Sequence, residues 1–196
     1  MPAVERMLEA TARAEDRHFW FRGLRRHARR LLDDAHQTRP LRRIIDCGAG
    51  TGRNLDWLAD YGPAIGVELH PAGLRHAQSH SRTVVRASVA ALPFADASAD
   101  LATSFDVLYC LDDETEARAL AEMWRVVAPG GLVLVNVAAL DALRGSHSVL
   151  THEVRRYTRE RLAARLTRAG FTIDPMTYTN LSPLPAPLVV DRKSVV

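Results

Sequence analysis

From Met1 to about Asp34 the apolar positions recur at helical spacing, with Leu24, Ala28 and Leu31 or Leu32 on one face and arginines on the other. This predicts an amphipathic helical segment, which Gln37 to Pro40 interrupts. From Leu41 onward short apolar runs alternate with helical periodicities, the pattern of a parallel sheet with crossover helices. Strands are predicted at Leu41–Cys47, Ala64–Leu69, Thr83–Ala87, Ala99–Phe105 and Leu132–Val137. A helix is expected from about Gly52 to Asp60, and Pro71 stands where the first turn of the next tolerates a missing N–H. Asp112, Asp113 and Glu114 suit a helix N-terminus, and Leu120, Met123, Trp124 and Val127 continue that helix. Pro129-Gly130-Gly131 then turns into strand five. Thr158 opens a last helix with Leu162, Leu166 and Ala169 inward, Gly170 closes it, and Phe171–Tyr178 reads as a sixth strand.

The remaining segment breaks the alternation. LSPLPAPLVV at 181–190 holds three prolines and no turn leading to another strand, so 181–196 reads as an irregular tail. Lys193 is the single lysine beside 25 arginines, and the last six residues, DRKSVV, read as an artificial end to a truncated gene. The domain plan is therefore 1–40 as a helical extension, 41–180 as an α/β domain and 181–196 as tail.

Composition narrows the setting. With 196 residues, 47% of them hydrophobic, the chain can bury one sizeable core. No 18-residue apolar run exists and no signal peptide opens the chain, so a soluble cytoplasmic protein without a membrane span is expected. Cys47 and Cys110 give neither metal spacing nor a disulfide framework. The net charge is +3, yet eleven arginines face six acids through Arg43, so the excess lies on the N-terminal segment. A solvated helix face accounts for it better than nucleic-acid contact.

The stretch IIDCGAGTGRN, Ile44 to Asn54, carries the chemistry. A strand, a side-chain-free turn and a helix aim backbone N–H groups at a ligand on the carboxyl edge of a sheet. A dinucleotide fingerprint needs G-x-G-x-x-G, but Arg53 occupies the third glycine's place. A nicotinamide oxidoreductase is thereby disfavoured. Asp46 would also repel a pyrophosphate, whereas it would attract a ligand's ammonium. Glu68, 22 residues beyond, is placed to accept hydrogen bonds from ribose hydroxyls.

The pattern Asp46, Gly48, Gly50, Gly52 resembles motif I of the class I S-adenosylmethionine-dependent methyltransferases, specifically the small type-11-like domain, and the resemblance runs from about Glu15 to Tyr178. VVRASVAALPFADASADL resembles the stretch that flanks the adenine, WRVVAPGGLVLV the turn into strand five, and HFWFRGLRR an N-terminal cover in one subgroup. What the resemblance implies is a three-layer Rossmann-like fold with a mostly parallel sheet, and S-adenosyl-L-methionine as cofactor. A final antiparallel strand, normally inserted between five and six, is expected to be missing here, with lowered stability as the result. Cofactor contacts are expected from Asp46, Gly48, Ala49, Gly50, Gly52, Glu68, Leu69, Ser88, Val89 and Phe105. Ser88 replaces the family's frequent aspartate, and Arg22 is expected to reach the cofactor carboxylate.

On the acceptor side, the aromatic run from His18 to Phe21 reads either as a lid or as plain packing. Tyr109 and Cys110 occupy positions where relatives often carry Glu-His, so no general base carries over. Candidate catalytic groups are Tyr109, His152 and Tyr157, and candidate acceptor contacts are His18, Trp20, Tyr109 and Arg156. Asp112, Asp113 and Glu114 read as helix N-terminal acids, and no metal is expected. The expected reaction is methyl transfer to a small-molecule acceptor. A domain that binds S-adenosylmethionine without catalysing is the alternative.

Overall fold

The computed structural model describes residues 3–141, 153–174, 176, 178 and 188–191. The predicted N-terminal helix is two helices, α1 (Ala3–Ala14) and α2 (Phe19–Thr38). His18 caps α2 with its ring nitrogen, which accepts the Trp20 N–H at 3.3 Å. Then follow β1 (Ile44–Cys47), α3 (Arg53–Leu58), β2 (Ala64–Glu68), α4 (Pro71–Ser79), β3 (Val84–Arg86) and β4 (Ala99–Phe105). A single 3-10 turn at Leu108–Cys110 leads to α5 (Asp113–Val126) and β5 (Val127–Asn136). The described chain continues with α6 (Arg159–Arg168), β6 (Thr172–Ile173) and β7 (Leu188–Asp191).

The sheet order is β3-β2-β1-β4-β5-β7-β6. β1 through β5 pair in parallel, while β7 runs antiparallel to both β5 and β6. The expectation that this final strand is missing, and that 181–196 is irregular throughout, is therefore corrected. Leu188 to Asp191 pair with Val135 to Leu132, and Asp191 and Val190 pair with Thr172 and Ile173. Only four residues form the strand, directly after a proline-rich stretch, too short a run to signal a strand by alternation. β6 is also shorter than the eight residues predicted, and β5 begins before Pro129-Gly130-Gly131. The triplet is absorbed as an irregularity between the pairs Ala99–Val127 and Leu101–Leu132.

Period-two alternation sorts the strand side chains into two cores. Ile45, Cys47, Ala102, Val133 and Val135 face Leu120 and Met123 of α5 and Leu162 and Leu166 of α6. Ile44, Leu101, Phe105 and Leu134 face Leu24, Ala28 and Leu32 of α2 and Trp57 and Leu58 of α3. Helices on both faces of one sheet give the three layers expected. β4 lies at the centre of the sheet with all seven residues buried.

Candidate functional site

The carboxyl ends of β1, β2, β4 and β5 open on a cleft of about 1030 Å³. This is at the top of the roughly 300–1,000 Å³ range of small-molecule sites, which suits two ligands side by side. Gly48 to Thr51 line it at β1, Glu68, Leu69, Ser88 and Val89 beyond β2 and β3, and Phe105, Asp106, Tyr109 and Asn136 at β4 and β5. Leu8 and Thr11 of α1 and Trp20, Phe21 and Leu24 of α2 line the remaining side.

The turn after β1 is held in a conformation that side chains resist. Gly48, Gly50 and Gly52 have φ of 84°, 55° and 75°. A Cβ on Gly48 would stand 2.4 Å from Val107 Cγ2, whereas one on Gly50 would meet Leu8 Cδ2 at 3.6 Å. On the side facing α1, a side chain at Gly50 would therefore begin in van der Waals contact with Leu8. Thr51 is buried, and its hydroxyl donates to Glu15 at 2.7 Å, tying the turn to the end of α1. Burial raises the Glu15 carboxyl above its ordinary value, with the Thr51 bond opposing.

Glu68 binds the same turn from the other side. Its Oε2 accepts the Gly50 N–H at 2.7 Å and its Oε1 the His70 N–H at 2.6 Å. An ionised carboxylate offers about four lone-pair directions, so two remain for ligand hydroxyls. Gly73 makes this arrangement fit, since a Cβ there would lie 2.6 Å from the Gly50 carbonyl oxygen and 2.9 Å from Glu68 Cγ. Sequence reasoning passed over Gly73, although a glycine inside a helical pattern is a sign of close approach.

Two expected contacts fall elsewhere. Asp46 does not line the cleft: it is 1% exposed beneath the turn, where Oδ1 accepts from Thr103 at 2.7 Å. Its Oδ2 is buried with no donor among the described residues, and burial, reinforced by the Glu68 charge, pushes its pKa up to about 7. The expected attraction of a ligand ammonium by Asp46 would therefore act from beneath the turn, since β1 is buried along its whole length. Arg22 is exposed on the outer side of α2, in a shallow groove of about 730 Å³ that also holds Arg26 and Arg30. Three residues further along the helix, Arg25 lines both that groove and the cleft.

Of the residues expected at the acceptor, His18, Trp20, Tyr109 and Arg156 all line the cleft, as do Leu69, Ser88, Val89 and Phe105, which were expected at the cofactor. The Ser88 hydroxyl accepts the Ala90 N–H at 3.1 Å. Tyr109 is buried, which raises its phenol far above the ordinary range, and the neighbouring Asp106 carboxylate adds to the shift. Its carbonyl accepts the Val154 N–H at 2.9 Å and so holds the 153–157 segment. Arg156 pairs with Glu153 and donates to the Ala139 carbonyl at 3.2 Å. Burial pushes the Cys110 thiol up to about 12, which removes it as a nucleophile.

Tyr157 is committed to a buried network. Its hydroxyl donates to Glu116 at 2.6 Å, and Arg155 and Arg165 each reach the same carboxylate at 2.7 Å. Asp113 completes the group with Arg165 at 2.6 Å. His152 lies outside the described residues. Asp112 caps α5 by accepting the Thr115 N–H at 2.7 Å, so the acids there serve the helix. Among the described residues, no three His, Cys, Asp or Glu side chains gather to hold a metal, and no helix is long and apolar enough to cross a membrane.

One residue that the sequence did not single out stands in the wall. Asp106 follows β4 with φ of 61°, a left-handed backbone that few side chains adopt. Its carboxylate accepts from the Asn136 amide at 2.8 Å and from the Trp20 indole, while burial lifts its pKa to about 6.

Residues 45–135 match the model of a family described as a methyltransferase domain. A probable S-adenosylmethionine-dependent methyltransferase of Mycolicibacterium smegmatis is 30% identical over 166 residues, 81% of this chain and 62% of that protein. A malonyl-[acyl-carrier protein] O-methyltransferase of Pseudescherichia vulneris is 33% identical over 165 residues, 78% of this chain and 64% of that protein. The chain thus spans less than two thirds of the length of either relative. Among solved structures, a Thermotoga maritima SAM-dependent methyltransferase, titled a possible histamine N-methyltransferase, superposes with a TM-score of 0.73 at 22% identity. The match covers 98% of this chain and 92% of that one. Fold, glycine turn and matched segment agree in making residues 45–135 similar to a methyltransferase domain.

Proposed function

We propose that the protein binds S-adenosyl-L-methionine in the cleft and transfers its methyl group to a small-molecule acceptor. The observation that carries this reading is the joint geometry of Gly50 and Glu68: a residue without a side chain lines the cleft while the carboxylate that holds its N–H keeps lone pairs for ribose hydroxyls. Leu69, Ser88 and Val89 flank the adenine, and Gly48, Ala49 and Phe105 bound the methionine portion. Arg25, rather than Arg22, is the arginine placed for the cofactor carboxylate. Asp46 supports the turn from below.

The bound cofactor supplies an electrophilic methyl on sulfur and leaves as a neutral thioether. The chain therefore has mainly to hold the acceptor in line and exclude water, and a base is needed only where the acceptor must lose a proton. α1 and the start of α2 act as the cover that excludes water, since Leu8, Trp20 and Phe21 line the cleft from above the turn. Tyr109 and Arg156 bound the acceptor side. The small-molecule acceptor is supported by the size of the cleft, about 1030 Å³. Isothermal titration of the protein with S-adenosylmethionine and S-adenosylhomocysteine tests the reading. Saturable one-to-one binding of both is expected, and binding of NADH in their place would sink it.

A further inference from the structure

We propose that Asp106 is the acceptor-binding and proton-accepting group, and that the acceptor it selects is an amine. This rests on the methyl-transfer reading above, and three observations of geometry carry it. Asp106 stands in the cleft wall at the end of the fully buried central strand, where a left-handed φ of 61° turns it out of the sheet register. Non-glycine residues in such backbones concentrate at functional sites. The donors that reach its carboxylate, Asn136 and Trp20, are both uncharged. A half-buried carboxylate with no cationic partner among the described residues can take one from the cleft it lines.

The surroundings fit a cation better than an anion. Tyr109 and Cys110, from the 3-10 turn, feel the Asp106 charge and stay protonated, since burial and that charge both raise them. Glu153 lies on the same side and forms an ion pair with Arg156, so the two charges offset each other beside the chamber. Trp20 comes from α2 and Asn136 from the end of β5, so the groups packed against Asp106 from each element are neutral or already paired. An acceptor carboxylate would meet like charge. An ammonium would meet an ion-pair partner.

The step balances without a further reagent. One N–H proton of the ammonium passes to an Asp106 carboxylate oxygen, and the freed nitrogen pair forms the new N–CH3 bond. The electron pair of the breaking C–S bond goes to sulfur. The methylated amine keeps its positive charge, and the proton on Asp106 returns to solvent. A carboxyl lifted to about 6 is a better proton acceptor than an ordinary aspartate.

The test uses n-butylamine and n-butyrate as probes, titrated into the full chain with and without saturating S-adenosylhomocysteine. Butylamine is expected to bind at least tenfold more tightly than butyrate at neutral pH. That preference should fade as pH falls through about 6. Asp106→Asn should erase it. Asp106→Gly, which suits the left-handed backbone, should erase it as well and guards against a folding artefact. Equal or absent binding of the amine, or a preference that survives both substitutions, overturns the proposal. So does a loss of S-adenosylhomocysteine affinity in Asp106→Asn with the amine preference unchanged, because that would assign Asp106 to the cofactor. Failure of S-adenosylhomocysteine to bind the unmodified chain would remove the methyl-transfer reading, while the amine preference measured without it would still decide the role of Asp106.

Discussion

Tyr157 donates its hydroxyl to Glu116 across 2.6 Å, and both residues are buried. With Arg155 and Arg165 on the same carboxylate, this joins α5, the 153–158 segment and α6 beside the acceptor end of the cleft. Removing one partner of a buried ion pair leaves the other charges uncompensated. Glu116→Ala is therefore expected to cost about 3–5 kcal/mol. Tyr157→Phe, which removes one bond to a charged group, should cost about 1–3 kcal/mol. Urea unfolding measures both, and an unchanged midpoint in Tyr157→Phe would return the hydroxyl to the list of catalytic candidates.

The glycines of the turn should separate fold from binding. Gly48→Ala forces a methyl to 2.4 Å from Val107 Cγ2 at a φ of 84°. It is expected to lower stability by about 1–3 kcal/mol through strain alone, with the clash added. Gly50→Ala pays only the left-handed backbone penalty of about 1–2 kcal/mol, because Leu8 lies 3.6 Å away. Its larger effect should be on S-adenosylmethionine affinity, which titration calorimetry reads beside the thermal transition. Equal losses of affinity per unit of lost stability in the two variants would refute the distinction.

What the sequence made legible follows from where single residues suffice. β4 falls at Ala99–Phe105 as predicted, because its apolar run is bounded on both sides. Thr158 and Asp112 cap their helices through short side chains acting locally. The break between α1 and α2 was hidden, since both helices carry apolar and basic faces and no glycine or proline marks the joint. β7 was hidden for the opposite reason, a four-residue strand that pairs along its whole length with β5, more than fifty positions away. Within the site, the glycine turn and Glu68 were readable because their spacing is fixed along the chain. Which of Arg22 and Arg25 lines the cleft was not readable, because it depends on the rotation of α2, set by Leu24 and Ala28 packing on the sheet. Asp106 and Glu116 depend on burial and long-range partners, which a single sequence does not display.

Asp46 gives a pH dependence of definite sign. Its folded pKa lies above the ordinary 3.8, at about 7. The folded state therefore holds the proton more tightly than the unfolded chain. This contribution to stability is fully present below about pH 4 and is lost as pH rises through 7. Asp106, lifted to about 6, acts in the same direction over a narrower window. Asp46→Asn should remove the Asp46 contribution while keeping an acceptor for Thr103. The stability of the variant relative to the unmodified chain should then rise between pH 4 and 7, by on the order of a few kcal/mol. Parallel denaturation series at several pH values would expose a flat difference, which would mean that Asp46 is ionised in the folded protein.

The two arginines of α2 offer a sharper test of which side of that helix meets the ligand. Arg25 lines the cleft and donates to the Glu15 carbonyl at 2.6 Å, so it sits where α1 ends and the turn begins. Arg22 shares the outer groove with Arg26 and Arg30. A charge-assisted bond to a carboxylate contributes about 1.5–3 kcal/mol. Arg25→Ala should accordingly weaken S-adenosylmethionine binding by roughly ten- to a hundredfold, while Arg22→Ala leaves it within a factor of two or so. Arg25→Lys keeps the charge but loses the planar fork, and should fall between the two. Calorimetric titration of the three variants decides the matter, and a larger loss from Arg22→Ala than from Arg25→Ala would mean that α2 rotates about its axis when the ligand binds.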